Sequence, residues 1–121
     1  MDVGTLTGDI YYESGLEIMP EHEELGRVAI HLAWGFYRDA EDVQGMKKCY
    51  DFLKDDLDSF AKNMVVEKCF ENMRVFRDFI EIDDVLKRLL DSTDGIILLK
   101  ARIKPQVLRN LKEAEKYLES E

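Results

Sequence analysis

Four carboxylates in this 121-residue sequence have a spacing that could do chemistry. Glu21 and Glu24 fall on one face of any helix that holds them, and Asp39 and Asp42 form a second such pair further along. Paired carboxylates supply the hard oxygen donors that Mg²⁺ prefers, and a bound Mg²⁺ steadies the charge that develops when a nucleotide's phosphates are hydrolysed. Other reactive groups are sparse. His22 and His31 are the only histidines and no Glu-x-x-His pair occurs, so a ferritin-type carboxylate metal site lacks its ligands. Cys49 and Cys69, the only cysteines, form no Cys-x-x-Cys pair and read as two buried reduced thiols rather than zinc ligands. Ser14, Ser59 and Ser92 fit turns or caps, none within Gly-x-Ser-x-Gly, and there is no glycine-rich phosphate loop. These signatures imply no cofactor and no catalytic residue.

Two short stretches are similar to known families. Glu23-Glu24-Leu25-Gly26-Arg27 and its apolar continuation resemble the helix of MazG-type nucleotide pyrophosphohydrolases. The resemblance implies an all-α, Mg²⁺-dependent enzyme with Glu21, Glu24, Asp39 and Asp42 as metal ligands. It spans about a dozen residues; Arg27 stands where that pattern has an acid, and residues 1–20, which read as an arm, are not expected to form the pattern's preceding acidic helix. Leu32, Ala33 and Phe36, followed by Gly45, resemble a tetratricopeptide helical hairpin. Phe52 replaces that pattern's small residue and no second repeat follows, so what carries over is a helix–turn–helix packing of 21–40 against 42–62.

The elements that must position these residues follow from apolar periodicity. Residues 1–20 read as an extended or hairpin-like acidic arm, because Ile10-Tyr11-Tyr12 and Leu16 to Met19 flank Ser14-Gly15. Pro20 then opens a helix over 21–40. Its apolar stripes, Leu25, Val28, Ala29, Leu32 and Phe36 beside Ile30, Trp34 and Tyr37, leave only Glu24, Arg27, His31 and Arg38 as a polar line, which predicts a central helix. A helix over 42–62 carries the seam Met46, Tyr50, Leu53, Leu57, Phe60 and Met64, and another over 64–80 carries Val66, Cys69, Met73, Phe76 and Ile80. Asp83 caps a short helix over 84–91. After the break at Asp91 to Gly95, residues 96–103 fit helix or buried strand equally, and Pro105 opens a last helix. The expected fold is all-α: a compact five- to six-helix bundle or orthogonal helical array, with 1–20 as an arm and 21–121 as one helical domain.

Charge narrows the function classes. The net charge is −9, and residues 1–24 hold seven acids and no base. That overall sign argues against nucleic acid and against an anionic membrane as partners. The first 24 residues show no signal-peptide pattern, and the longest apolar run, Ile96 to Leu99, is far shorter than the ~20 residues of a membrane span, so a cytoplasmic protein is expected. Arg109, Lys112 and Lys116 form a basic stripe on the last helix, with Lys100, Arg102 and Lys104 upstream; they could dock residues 1–24, a second copy or another protein. Together with the aromatic Trp34 and Tyr37 and the adjoining Arg38, they make the favoured expectation a non-enzymatic adaptor or regulatory module binding another protein or a second copy. Alternatives are the Mg²⁺-dependent hydrolase and an acidic inhibitor mimicking nucleic acid, which would need the acids of residues 1–24 as a solvent-exposed row rather than paired with the C-terminal bases.

Overall fold

A computed structural model describes residues 2–53 and 83–119, and in them every regular element is an α-helix. In chain order these are α1 (Val3–Ile18), α2 (Glu23–Asp39), α3 (Val43–Leu53), α4 (Asp84–Leu89) and α5 (Thr93–Glu119). The expected helix over 64–80, and the seam beyond Leu53, lie outside the described residues.

The first element corrects the expected arm. Residues 3–18 are helical, capped by Asp2, whose carboxylate accepts from the Gly4 N–H at 2.7 Å. Val3, Leu6, Ile10 and Ser14 recur at helical spacing and are buried, with Thr7 and Tyr11 beside them. Glycines here act as contact points rather than breaks. A Cβ added at Gly15 would lie 2.9 Å from the Gly26 carbonyl oxygen of α2, so the two backbones touch where these glycines cross. The hairpin this makes is antiparallel, with Tyr11 stacked on Phe36 at 5.3 Å between ring centroids.

The centre of the fold is α2. It begins at Glu23, two residues after the expected start, and its N-cap is His22, whose Nδ1 accepts from the Leu25 N–H at 3.1 Å. Val28, Ala29, Ile30, Leu32, Ala33 and Phe36 are all buried, facing α1, α3 and α5. At roughly 1.5–3 kcal/mol for each large side chain removed from water, this one helix anchors much of the core. The polar line expected along it is shorter than its sequence implies: His31 is only 7% exposed, and Arg27 turns inward to donate to the Phe52 carbonyl at the end of α3, 2.9 Å away. The helix stops at Ala40, and Glu41 takes a left-handed conformation (φ 57°) that turns the chain into α3.

Packing of α3 departs from the expected seam. Gly45, Cys49 and Leu53 face inward, while Tyr50 is 60% exposed. Gly45 lets α3 approach the Tyr37 ring closely, so Gly45 and Cys49 are buried along with the expected Leu53, Met46 is only partly buried against the core, and Tyr50 alone of the described seam faces out.

Helix α4 is capped by Asp83 as expected, through the N–H groups of Val85 and Leu86. Residues 96–103 are helical, and Pro105 lies inside α5 rather than at its start. A proline there removes the hydrogen bond to the Ala101 carbonyl. Both residues are exposed, away from the buried stripe of α5, and the helix runs through. Leu99, Ile103, Val107 and Leu111, four apart, are its buried stripe.

Candidate functional site

A groove of about 410 Å³ lies between α2 and α3, lined by Trp34, Met46, Lys47, Tyr50 and Asp51. Trp34 is half-buried in one wall, and the exposed Tyr50 rises from the other. One turn further along α2, the Arg38 guanidinium sits over the indole, 5.0 Å from the ring centroid, and also lies 3.4 Å from the Asp39 carboxylate. The groove therefore combines aromatic faces, a thioether and charges of both signs. It offers surface for packing and hydrogen bonding, with no nucleophile–base pair among its lining residues.

Behind the groove, His31 lies 6.4 Å from the Trp34 ring. Its burial, with the positive charge of Arg38 adding to the effect, pulls its pKa down to about 4, so the imidazole is neutral at physiological pH.

Tyr37, expected at an interaction surface, is fully buried. Its ring lies against Gly8 of α1 and Gly45 of α3, and its hydroxyl donates to the Asp9 carboxylate at 2.5 Å. Lys48 completes this cluster: its Nζ is 3.4 Å from Asp9, 4.5 Å from the Tyr12 ring centroid and 5.1 Å from that of Tyr37. Burial, then the bond to Asp9, raises the Tyr37 phenol well above its usual pKa. Burial likewise pushes the neighbouring Cys49 thiol up to about 12. A protonated thiol and a protonated phenol under cover are structural parts, not nucleophiles.

The four carboxylates fall into two separate places. Exposed Glu21 and Glu24 stand at the N-terminal end of α2, Asp39 and Asp42 at the C-terminal end. A 17-residue helix holds them roughly 25 Å apart. Asp42 is committed to structure, accepting from the Gly45 N–H at 3.0 Å and from the Thr5 hydroxyl at 3.2 Å. Among the described residues no group of three or more His, Cys, Asp or Glu side chains could hold a metal ion. The described geometry thus brings these four acids to no shared centre.

The C-terminal bases divide by helix face. Lys100 meets Glu13 at 3.1 Å and Lys104 meets Glu17 at 3.1 Å, equal steps of four that show α1 and α5 running parallel. Further along, His22 faces Glu115 at 3.8 Å. So two of the N-terminal acids pair with α5, which breaks up the row of carboxylates that nucleic-acid mimicry would need. Arg109, Lys112 and Lys116 are exposed on another face of α5 and make no ion pair with a described side chain. The predicted residues are therefore split: Trp34 and Arg38 adjoin the groove, Tyr37 lies beneath it, and the three bases belong to α5. Met46, Lys47, Tyr50 and Asp51 were missed because Met46 and Tyr50 fit a core seam; the small Gly45 and Cys49, four apart, were the signal that a different stripe faces inward.

No family model, curated protein or solved structure matches the chain significantly. Among the described residues, no helix is long and apolar enough to cross a membrane.

Proposed function

We propose that this chain is a non-enzymatic helical adaptor or regulatory module that grips another protein in the groove between α2 and α3. The observation that carries the reading is Trp34, with Arg38 over its indole, sharing one groove with the exposed Tyr50. Tryptophan, tyrosine and arginine are the side chains that dominate binding energy at protein interfaces, and methionine adapts to irregular partners. A half-covered indole beside a bare phenol leaves apolar area that a partner would remove from water. A cytoplasmic setting suits this reading, and the buried, unpaired Cys49 thiol supports a reducing compartment.

The test is site-specific photocrosslinking in the native cell. A benzophenone amino acid in place of Tyr50 should give a discrete crosslinked species that is lost in the Arg38→Glu variant. Light scattering on the purified chain separates a partner from a second copy. If the probe at position 50 crosslinks no more than one at the exposed Asp91, and the chain is monomeric at every concentration, the groove does not bind protein.

A further inference from the structure

We propose that α5 carries a second, independent docking strip, and that its occupant is an acidic amphipathic helix of another protein. Between Gly95 and Lys112 the sequence has five bases and no acid, in a chain whose net charge is −9. Lys100 and Lys104 are already engaged by α1. Arg102, Arg109 and Lys112 project from the opposite side, exposed and without a described ion-pair partner. On that face Leu98 is 62% exposed, and Ile97 and Leu108, 60% and 37% exposed, border it on the Lys104 side. A helix normally turns such residues to the core, and here the core side is already filled by Leu99, Ile103 and Val107.

The strip's shape selects a helix. Leu98, Arg102 and Arg109 repeat at steps of four and seven, the spacing of a seam that a second helix follows. From Ile97 to Lys112 it runs roughly 22 Å, the length of about four helical turns. Its charge selects acid. A second copy using the same strip would set arginine against arginine. An anionic membrane would attract the strip but repel the remainder of the molecule, which is more negative than the chain as a whole.

The probes are a synthetic peptide of about 16 residues with leucines at alternating steps of three and four flanked by glutamates, a scrambled peptide of the same composition, a version with lysine for glutamate, and vesicles of phosphatidylcholine and phosphatidylserine in equal amounts. Anisotropy of the labelled peptides against the full chain should show binding of the acidic amphipathic peptide alone, weakening at least about tenfold between ~0.05 and ~0.5 M salt. The double variant Arg102→Glu/Arg109→Glu should lose at least about tenfold in affinity, with its circular dichroism unchanged. Leu98→Ser should also weaken binding, whereas Tyr50→Ala in the groove should not, which separates failure of this strip from failure of the groove. Equal binding of the scrambled or lysine peptide, binding of vesicles in place of the peptide, no binding at all, or undiminished binding by the double variant would each overturn the proposal.

Discussion

Tyr37 and Gly45 are in such close contact that a methyl group on residue 45 would stand 2.3 Å from Tyr37 Cδ1. The ring cannot retreat, because a Cβ at Gly8 would already lie 2.7 Å from its Cε1 on the α1 side. Three helices therefore meet on one aromatic ring.

Gly45→Ala should accordingly destabilise the protein even though alanine is the better helix former. Overpacking of about 1–3 kcal/mol opposes a helix-propensity gain of about 1 kcal/mol. Gly35→Ala in α2 is the control, since no described residue lies within 4 Å of a Cβ there; it should stabilise by about 0.5–1 kcal/mol. Thermal melts followed by circular dichroism should move in opposite directions for the two. A common direction would mean that the Tyr37 contact does not limit α3.

Tyr37→Phe removes the donor to Asp9 and keeps the ring. A hydrogen bond to a charged acceptor contributes about 1.5 kcal/mol or somewhat more, and Lys48, at 3.4 Å, replaces it only in part. Urea unfolding should show a loss of that order with an unchanged slope. No loss would mean that Lys48 satisfies Asp9 alone.

His31 should make stability fall in mild acid. Its folded pKa of about 4 is below the ordinary value of 6.5, so the unfolded chain takes up the proton first. Stability is then full above pH 6.5 and declines as the pH falls from 6.5 toward 4, by at most about 3 kcal/mol. His31→Gln should flatten that part of the profile relative to the parent, measured by denaturant unfolding at a series of pH values. Parallel profiles would assign the acid sensitivity to the carboxylates instead.

Cys49 should resist thiol reagents in the native state, being buried with its pKa pushed up to about 12. In a Cys69→Ser background, labelling at mild alkaline pH should proceed only as fast as the protein unfolds. Immediate labelling would show that α3 opens on its own.

The helical class and the central place of α2 were legible in the sequence because Leu25, Val28, Leu32 and Phe36 recur with one period and no competing signal. α1 was not legible, for a physical reason. Ile10-Tyr11-Tyr12 favours strand locally and the glycines look like breaks, whereas tertiary contact uses those glycines to bring α1 onto α2. The α3 register was legible in part: Leu53 is buried and Met46 half-buried as the seam implies, but Tyr50 is left outside because Tyr37 needs the room that Gly45 gives. Trp34 and Arg38 adjoin the groove, but Tyr37, one residue before Arg38, is buried between Gly8 of α1 and Gly45 of α3. Pro105 reads as a helix start because a helix interior normally excludes proline, whereas α5 carries it on its exposed side.

The pairing of Lys100 with Glu13 joins positions 87 residues apart, and it sets an order of events during synthesis. At about 5–20 residues per second, the α1–α2 hairpin, complete at Asp39, waits on the order of 3–12 s for Lys100 of its parallel neighbour to be translated. For that interval the flank of α1 destined for α5 is without its α5 neighbour. A nascent-chain chaperone, or premature pairing with a neighbouring polysome product, would meet the protein at that flank rather than at the surfaces it presents when finished.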